Sequence, residues 1–184
     1  PASSGRSAVV LDLRVIDDNG NALPTGERGE LLVRGTSLFQ GYWNRPDANA
    51  QVFIPDADGD WFRTGDVAYF DDEGFIFIVD RLKDMIAVGG FKVFPSQVED
   101  ILYKHPAVKE ALVIGVPDSY LGERPKAYVT LNDGAVASGE ELADWLNPQL
   151  GKHERVLAVV VRDALPKTMI GKLDRKALRA EEGV

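Results

Sequence analysis

Three short segments carry the side chains that can do chemistry in this 184-residue chain. They are W-F-R-T-G-D (residues 61–66), D-R-L-K-D-M-I-A-V-G-G-F-K (80–92) and P-K-T-M-I-G-K (166–172). In the third, Lys172 follows a glycine, and a lysine on such a loop extends a compact positive charge. Lys172 can therefore supply a positive charge to a negatively charged partner, although a lone lysine at this place is usually a solvated charge.

Asp66 and Arg81 have side chains suited to the sugar and phosphates of a nucleotide. Asp66 follows Gly65, which permits backbone angles that other residues avoid, so the sequence predicts its carboxylate on a turn. A fixed carboxylate accepts hydrogen bonds from the paired hydroxyls of a ribose, and a planar guanidinium suits two-point binding. Plainer interpretations stay open: Asp66 stabilises its own turn, and Arg81 is a solvated charge at a domain junction.

Gly89-Gly90 lies between two apolar runs, residues 85–88 and 91–93, which is typical of a tight β-hairpin. Without side chains, the two glycines also allow a ligand to approach the backbone closely. The sequence leaves both a structural turn and a ligand-lining loop open.

Together, and in this order, the three segments resemble the C-terminal part of the adenylate-forming enzymes. That family includes acyl-CoA synthetases, the adenylation domains of peptide synthetases and firefly-type luciferases. The resemblance extends from about Gly5 to about Arg179 and is strongest to fatty-acyl-CoA synthetases. It implies an enzyme that activates a carboxylic acid with ATP as an acyl-adenylate, releases pyrophosphate, and passes the acyl group to the thiol of CoA.

The resemblance also implies roles for individual residues. Lys172 matches the lysine that supplies positive charge to the adenylation step. The other matching positions are the nucleotide-binding Asp66 and Arg81, the hinge residues Asp80 and Lys83, and the CoA face at Gly89, Gly90 and Lys92. Because one small domain serves both half-reactions, the family rotates that domain about the hinge. Glu99 matches the acidic end of the second segment and is expected to be structural.

The ligands implied by the resemblance are ATP or AMP, CoA, a carboxylic acid and Mg²⁺. The magnesium ligands and the acyl pocket are expected in a missing N-terminal domain, so no metal site is expected in this chain, which by itself should be inactive. A medium- or long-chain fatty acid is the first expected substrate, and an aryl-CoA ligase or a carrier-protein-loading acyl-AMP ligase is the alternative. Ala87 stands where luciferases of the family have a lysine, which argues against light production.

A non-catalytic interaction module is the alternative from another class, and the presence of Lys172, Asp66 and Arg81 argues against it. Two further partners are expected. A protein lysine acetyltransferase acting on Lys172 would remove its charge, and apolar surface on residues 1–80 would allow a dimer.

The composition excludes several classes of function. There is no cysteine and there are only two histidines, which rules out disulfides, a cysteine nucleophile and a His-rich metal site. Residues 1–80 carry a net charge of −8 (6 Lys+Arg, 14 Asp+Glu), and residues 81–184 are neutral (15 of each). Such an acidic chain is not expected to bind nucleic acid. The cytoplasm is the expected compartment, with peripheral membrane association as an alternative.

The sequence predicts an α+β protein in two parts. Residues 1–80 read as short strands, a piece of the β-barrel subdomain of a larger N-terminal domain. Residues 81–184 alternate strands and helices, which indicates a small α+β C-terminal domain. Helices are predicted from Pro95, with Ser96 near the N-cap, from Ser138 and from Asp174. The chain begins at Pro1 in what reads as mid-domain, so we expect it to be a piece of a larger protein.

Overall fold

The computed structural model describes residues 3–7 and 10–184, which form two compact units that meet in the chain between Lys83 and Asp84. The division lies in a 3₁₀ turn, Leu82–Asp84, three residues after the boundary expected at Asp80–Arg81. The architecture is mixed α and β with a majority of strands, as the sequence predicts.

In its described residues, the first unit is one antiparallel sheet with a single short helix. Its elements are β1 (Leu11–Ile16), β2 (Gly29–Gly35), α1 (Pro46–Val52), β3 (Phe53–Ile54), β4 (Trp61–Phe70) and β5 (Ile76–Arg81). Strand β4 is the centre of the sheet: β2 pairs along one edge, while β3 and then β5 share the other. Both faces bury small apolar clusters, one around Val15 and Ala68 and one around Leu32 and Trp61. The unit is thus built around the strand that carries W-F-R-T-G-D.

The second unit is a five-stranded sheet with helices on both faces. Its elements are β6 (Ile86–Val88), β7 (Phe91–Val93), α2 (Pro95–Leu102), β8 (Val108–Asp118), β9 (Gly122–Leu131), α3 (Gly139–Leu146), β10 (Val159–Val161) and α4 (Arg175–Glu182). The long β8–β9 hairpin forms its spine, with β6 and the parallel β10 also pairing with β9.

Successive side chains of strand β8 point to opposite faces of the sheet. Both faces are covered, so the strand contributes to two apolar clusters. Ala111 and Val113 join the larger core, with apolar side chains from α2 and α3. Leu112 and Ile114 join a smaller cluster that includes Leu178 of α4. The three-layer sandwich therefore places α4, which directly follows the lysine motif, against the opposite face from α2.

Several local expectations are corrected. Helix α2 begins at Pro95 as predicted; its N-cap is Phe94, which makes no side-chain cap hydrogen bond, and Ser96, expected near the N-cap, is the second residue of the helix. In the apolar run of residues 156–161, only Val159–Val161 form a strand, and α1 and β3 were not expected. The first strand begins at Leu11, and residues 8 and 9, shortly before it, lie outside the described residues. No helix in the described ranges is long and apolar enough to span a membrane.

Candidate functional site

The T-G-D motif forms a bulge inside strand β4 rather than the predicted turn. Gly65 has a φ of +69°, which is the backbone freedom expected of glycine there. The hydroxyl of Thr64 donates to the carbonyl of Leu31 at 2.8 Å and accepts from the backbone N–H of Asp66 at 3.0 Å. The threonine side chain thus completes the hydrogen bonds that the irregular strand leaves open, and it fixes the position at which Asp66 leaves the sheet.

Asp66 and Arg81 are direct neighbours across the β4–β5 pair. Arg81 Nε lies 2.9 Å from Asp66 Oδ1, with 59% of the arginine side chain and 28% of the aspartate side chain exposed. Asp80 accepts a hydrogen bond from the backbone N–H of Arg81 at 2.8 Å. The structure therefore brings together the two predicted nucleotide-binding residues and leaves both accessible to a ligand.

A second ion pair of β4 was not recognised in the sequence. Glu30 is only 7% exposed, and it accepts hydrogen bonds from Nε and Nη2 of Arg63. This pairing raises the pKa of the Arg63 guanidinium above its ordinary value. The pair joins β2 to β4 close to the bulge, and residues 33 positions apart give no local signal for it.

Gly89 and Gly90 form the predicted hairpin turn between β6 and β7, with φ values of +57° and +86°. The Gly89 N–H donates to the carbonyl of Leu121 at 2.8 Å, so the hairpin is tied to the turn that precedes β9. A Cβ added at Gly90 would meet no atom within 4 Å. Lys92 is exposed on β7, opposite Ala87.

A groove of about 490 Å³ opens beside this hairpin, and no local pattern in the sequence indicates it. Its lining residues are Val88, Tyr120, Leu121, Arg124, Lys152, His153 and Arg155. At its edge, Phe91 of β7 stacks on His153, with 3.6 Å between ring centroids and 15° between ring planes. Flat rings among three cationic side chains suit a ligand that combines an aromatic base with phosphate groups.

The turn that carries Tyr120 and Leu121 is held by Asp118. Its carboxylate accepts the backbone N–H groups of Tyr120 at 2.9 Å and of Leu121 at 2.8 Å. The hydrogen bonds from Leu121 and then Tyr120 lower the pKa of Asp118 below its ordinary value, and Arg124 lowers it further. Asp118 thus supports both the groove and the carbonyl that binds Gly89.

Lys172 lies on an exposed hairpin loop that precedes α4. The backbone of Thr168 donates to the carbonyl of Lys172 at 2.7 Å, and the Lys172 N–H donates to Thr168 Oγ1 at 3.2 Å. Gly171 takes a φ of +80° at the tip of the loop. Asp174, where the final helix was predicted to begin, caps α4 by accepting the Ala177 N–H at 3.0 Å. Within the described ranges, no three carboxylate or histidine side chains are grouped as metal ligands.

Comparison with known proteins places this chain in a family. Residues 97–172 match the AMP-binding enzyme C-terminal domain, and residues 1–43 match the AMP-binding enzyme family. A long-chain-fatty-acid–CoA ligase of Bacillus subtilis is 43% identical over 166 residues, covering 90% of this chain and 29% of that protein. A feruloyl-CoA synthase of Amycolatopsis is 41% identical over 181 residues, covering 98% of this chain and 36% of that protein.

The solved structures agree. The ATP-bound MatB of Rhodopseudomonas palustris has a TM-score of 0.90 and 34% identity, covering 98% of this chain and 36% of that protein. The chain thus spans about a third of the length of the relatives that it matches. On its motifs, its fold and these relatives, the chain belongs to the AMP-binding family of adenylate-forming enzymes and corresponds to their C-terminal part.

Proposed function

We propose that this chain is the C-terminal part of an AMP-forming acyl-CoA ligase. The intact protein, meaning this chain with the N-terminal portion that its relatives possess, would join a carboxylic acid to the α-phosphate of ATP and release pyrophosphate. It would then transfer the acyl group to the thiol of CoA and release AMP. The ligands for Mg²⁺ and the acyl pocket belong to that N-terminal portion.

For the adenylation step, Asp66 and Arg81 would hold the nucleotide and Lys172 would supply the cation. Asp66 keeps one carboxylate oxygen beside Arg81 at 2.9 Å, so a ribose would meet a pre-oriented acceptor and a guanidinium in one place. Lys172 is exposed on a hydrogen-bonded loop, which allows its ammonium group to reach a ligand held elsewhere. A positive charge placed in advance at the reacting phosphorus lowers the barrier because negative charge increases there in the transition state.

The groove beside Gly89-Gly90 is the observation that favours CoA as the acyl acceptor. CoA has an adenine base and several phosphates at one end and a thin pantetheine arm at the other. The cationic and aromatic lining suits the nucleotide end, and the open side of Gly90 suits the passage of the arm. A carrier protein would instead present its arm from a folded domain and would not need a nucleotide groove.

The substrate class is proposed from the relatives. A medium- or long-chain fatty acid is our first proposal, supported by the 43% identity to the Bacillus subtilis enzyme. The feruloyl-CoA synthase at 41% identity favours an aryl acid nearly as well.

The test is pyrophosphate release by the intact protein with ATP and magnesium, using a panel of fatty and aryl acids with and without CoA. We expect release with one class of acid, and we expect it to become catalytic when CoA is added. Release that stays stoichiometric with CoA present would replace the CoA ligase by a carrier-loading enzyme. No release with any acid would contradict the proposed reaction.

A further inference from the structure

A buried charge cluster lies at the start of α4, three residues after Lys172. Arg175 Nη2 donates to both carboxylate oxygens of Glu99, at 2.6 and 2.8 Å. Arg175 Nε donates to the carbonyl of Val113 at 3.1 Å, and Nη1 lies 3.4 Å from Asp84 Oδ2. One guanidinium therefore joins helix α4 to α2, to β8 and to the segment that follows Lys83.

The members of this cluster satisfy one another. The side chains of Arg175, Glu99 and Asp84 are only 18%, 12% and 14% exposed. Glu99 also accepts the Val113 N–H at 2.7 Å, and Arg179, one turn along α4, lies 3.9 Å from Asp84 Oδ1. Two arginines and two carboxylates balance in charge, and buried charges need such pairing to be tolerated.

The Lys172 loop has few contacts outside itself: Lys167 Nζ lies 2.6 Å from Glu110 Oε1 of β8 at the start of the loop, and the remaining hydrogen bonds are within the loop. Residues 167–172 are all exposed, including the apolar pair Met169 and Ile170 at the tip. A hydrogen bond from Asp174 N–H to the Pro166 carbonyl at 2.9 Å closes its base. Because the loop buries no apolar side chain, its orientation depends on the elements that hold its two ends, and α4 is one of them.

We propose that Arg175 is a positioning residue for Lys172. Its guanidinium fixes the first residue of α4, and through it the base of the loop, to the sheet and to Asp84. The same contact links the loop to the segment that immediately follows the expected hinge. This inference rests on the proposed role of Lys172 in adenylation.

Arg162 supplies a matched comparison, because it holds the other end of the same helix. Its Nη1 lies 2.6 Å from Glu181 Oε2, and its Nη2 lies 2.7 Å from Glu182 Oε1. Like Arg175, it is largely buried and binds two acidic residues, but it lies at the end of α4 remote in sequence from Lys172. A purely structural contribution to α4 would make Arg175→Met and Arg162→Met behave alike.

Hydrogen exchange of this 184-residue chain tests the inference without reference to any activity. In Arg175→Met, we expect the hydrogen-bonded amides of Thr168, Gly171 and Asp174 to exchange about tenfold faster or more, since they lose the support of α4. In Arg162→Met, the same amides should change less than about twofold. Equal acceleration in both variants, or none in Arg175→Met, would overturn the inference.

The half-reactions of the intact protein supply the second readout. Arg175→Met should lower kcat for pyrophosphate release about 10–100-fold with little change in KM for ATP, because a displaced cation weakens the transition state and not ATP binding. Thioester formation from supplied acyl-adenylate should fall less than about threefold, since Leu121 and Glu123 hold the β6–β7 hairpin separately. A rise in KM with unchanged kcat would contradict positioning.

Two controls separate the possible failures. If Arg175→Met does not fold, Arg175→Lys takes its place. Lysine keeps a cation between the carboxylates and loses only the two-point geometry, so amide exchange should again accelerate and kcat for pyrophosphate release should again fall, both by smaller factors. Should the wild-type intact protein release no pyrophosphate, the proposed function fails, and the exchange experiment still decides whether Arg175 holds the loop. Normal adenylation by a folded Arg175→Met protein, with Lys172→Ala inactive, would reject the inference alone.

Discussion

Arg81 and Asp66 form an ion pair directly across the β4–β5 ladder, with 2.9 Å between Arg81 Nε and Asp66 Oδ1. A second aspartate–arginine pair has the same relationship in the same unit: Asp12 and Arg34 are register partners of β1 and β2, at 2.8 Å. Only the first pair belongs to the motif, so the second is a control built into the chain.

The first prediction uses these two pairs. Asp66→Ala in the intact protein should raise KM for ATP about 10–100-fold, as expected for lost hydrogen bonds from ribose hydroxyls to a carboxylate. Asp12→Ala should leave KM for ATP unchanged. Both changes should alter the free energy of unfolding by less than about 1 kcal/mol, because exposed ion pairs contribute little. Equal effects of the two variants on KM would remove Asp66 from the nucleotide site.

The second prediction concerns Gly90, whose φ is +86° and where an added Cβ would meet open space. Gly134 has a φ of +78° and equally open surroundings in the turn after β9. Alanine at either position should cost about 1 kcal/mol of unfolding free energy, because L-residues disfavour this conformation. If the pantetheine arm passes Gly90, only Gly90→Ala should also slow thioester formation, by about tenfold or more. Matching activities of the two variants would exclude that passage.

Features set by neighbouring residues were predictable from the sequence. The Gly89-Gly90 hairpin, the Ser138–Glu141 capping box of α3 and the Asp174 cap of α4 all depend on residues within a few positions. Their geometry follows from local turn and cap chemistry. The family resemblance then supplied the roles of the motif residues, which local chemistry does not contain.

Features that depend on distant residues were not predictable. Arg175 meets Glu99 across 76 positions, and the groove combines residues from the turn before β9 with His153 and Arg155. A turn was expected at Gly65, where the structure has a bulge. Glycine with a positive φ occurs both in turns and in bulges of a paired strand, and the local sequence does not distinguish the two. Pairing across the sheet decides such cases.

The third prediction tests the groove. Arg155→Gln and Lys152→Gln should each raise KM for CoA about tenfold, the expected cost of one charge-assisted hydrogen bond to phosphate. Neither should change KM for pantetheine, which lacks the nucleotide. Lys176→Gln, at an exposed position of α4, is the charge-matched control and should change neither value. A parallel rise in KM for both acceptors would mean that the groove does not distinguish the nucleotide end.

The fourth prediction concerns pH and Asp118. Hydrogen bonds from Leu121 and Tyr120 lower its pKa below the ordinary 3.8. A lowered folded-state pKa means that the stabilisation is complete above the ordinary value and is lost as pH falls through the lower one. In NMR spectra of this chain, the amide shifts of Tyr120 and Leu121 should therefore titrate with a midpoint below 3.8. Asp118→Asn should abolish the titration and keep the turn, and a midpoint at or above the ordinary value would contradict the assignment.

The central claim is that one small unit serves two half-reactions through two separate sites. The most direct measurement compares Lys172→Ala and Arg155→Gln in the intact protein, each assayed for pyrophosphate release and for thioester formation from supplied acyl-adenylate. Lys172→Ala should slow pyrophosphate release roughly 10²–10³-fold and spare thioester formation, since one pre-oriented electrostatic group is lost. Arg155→Gln should do the reverse at limiting CoA. Equal losses of both half-reactions in both variants would contradict two separate sites.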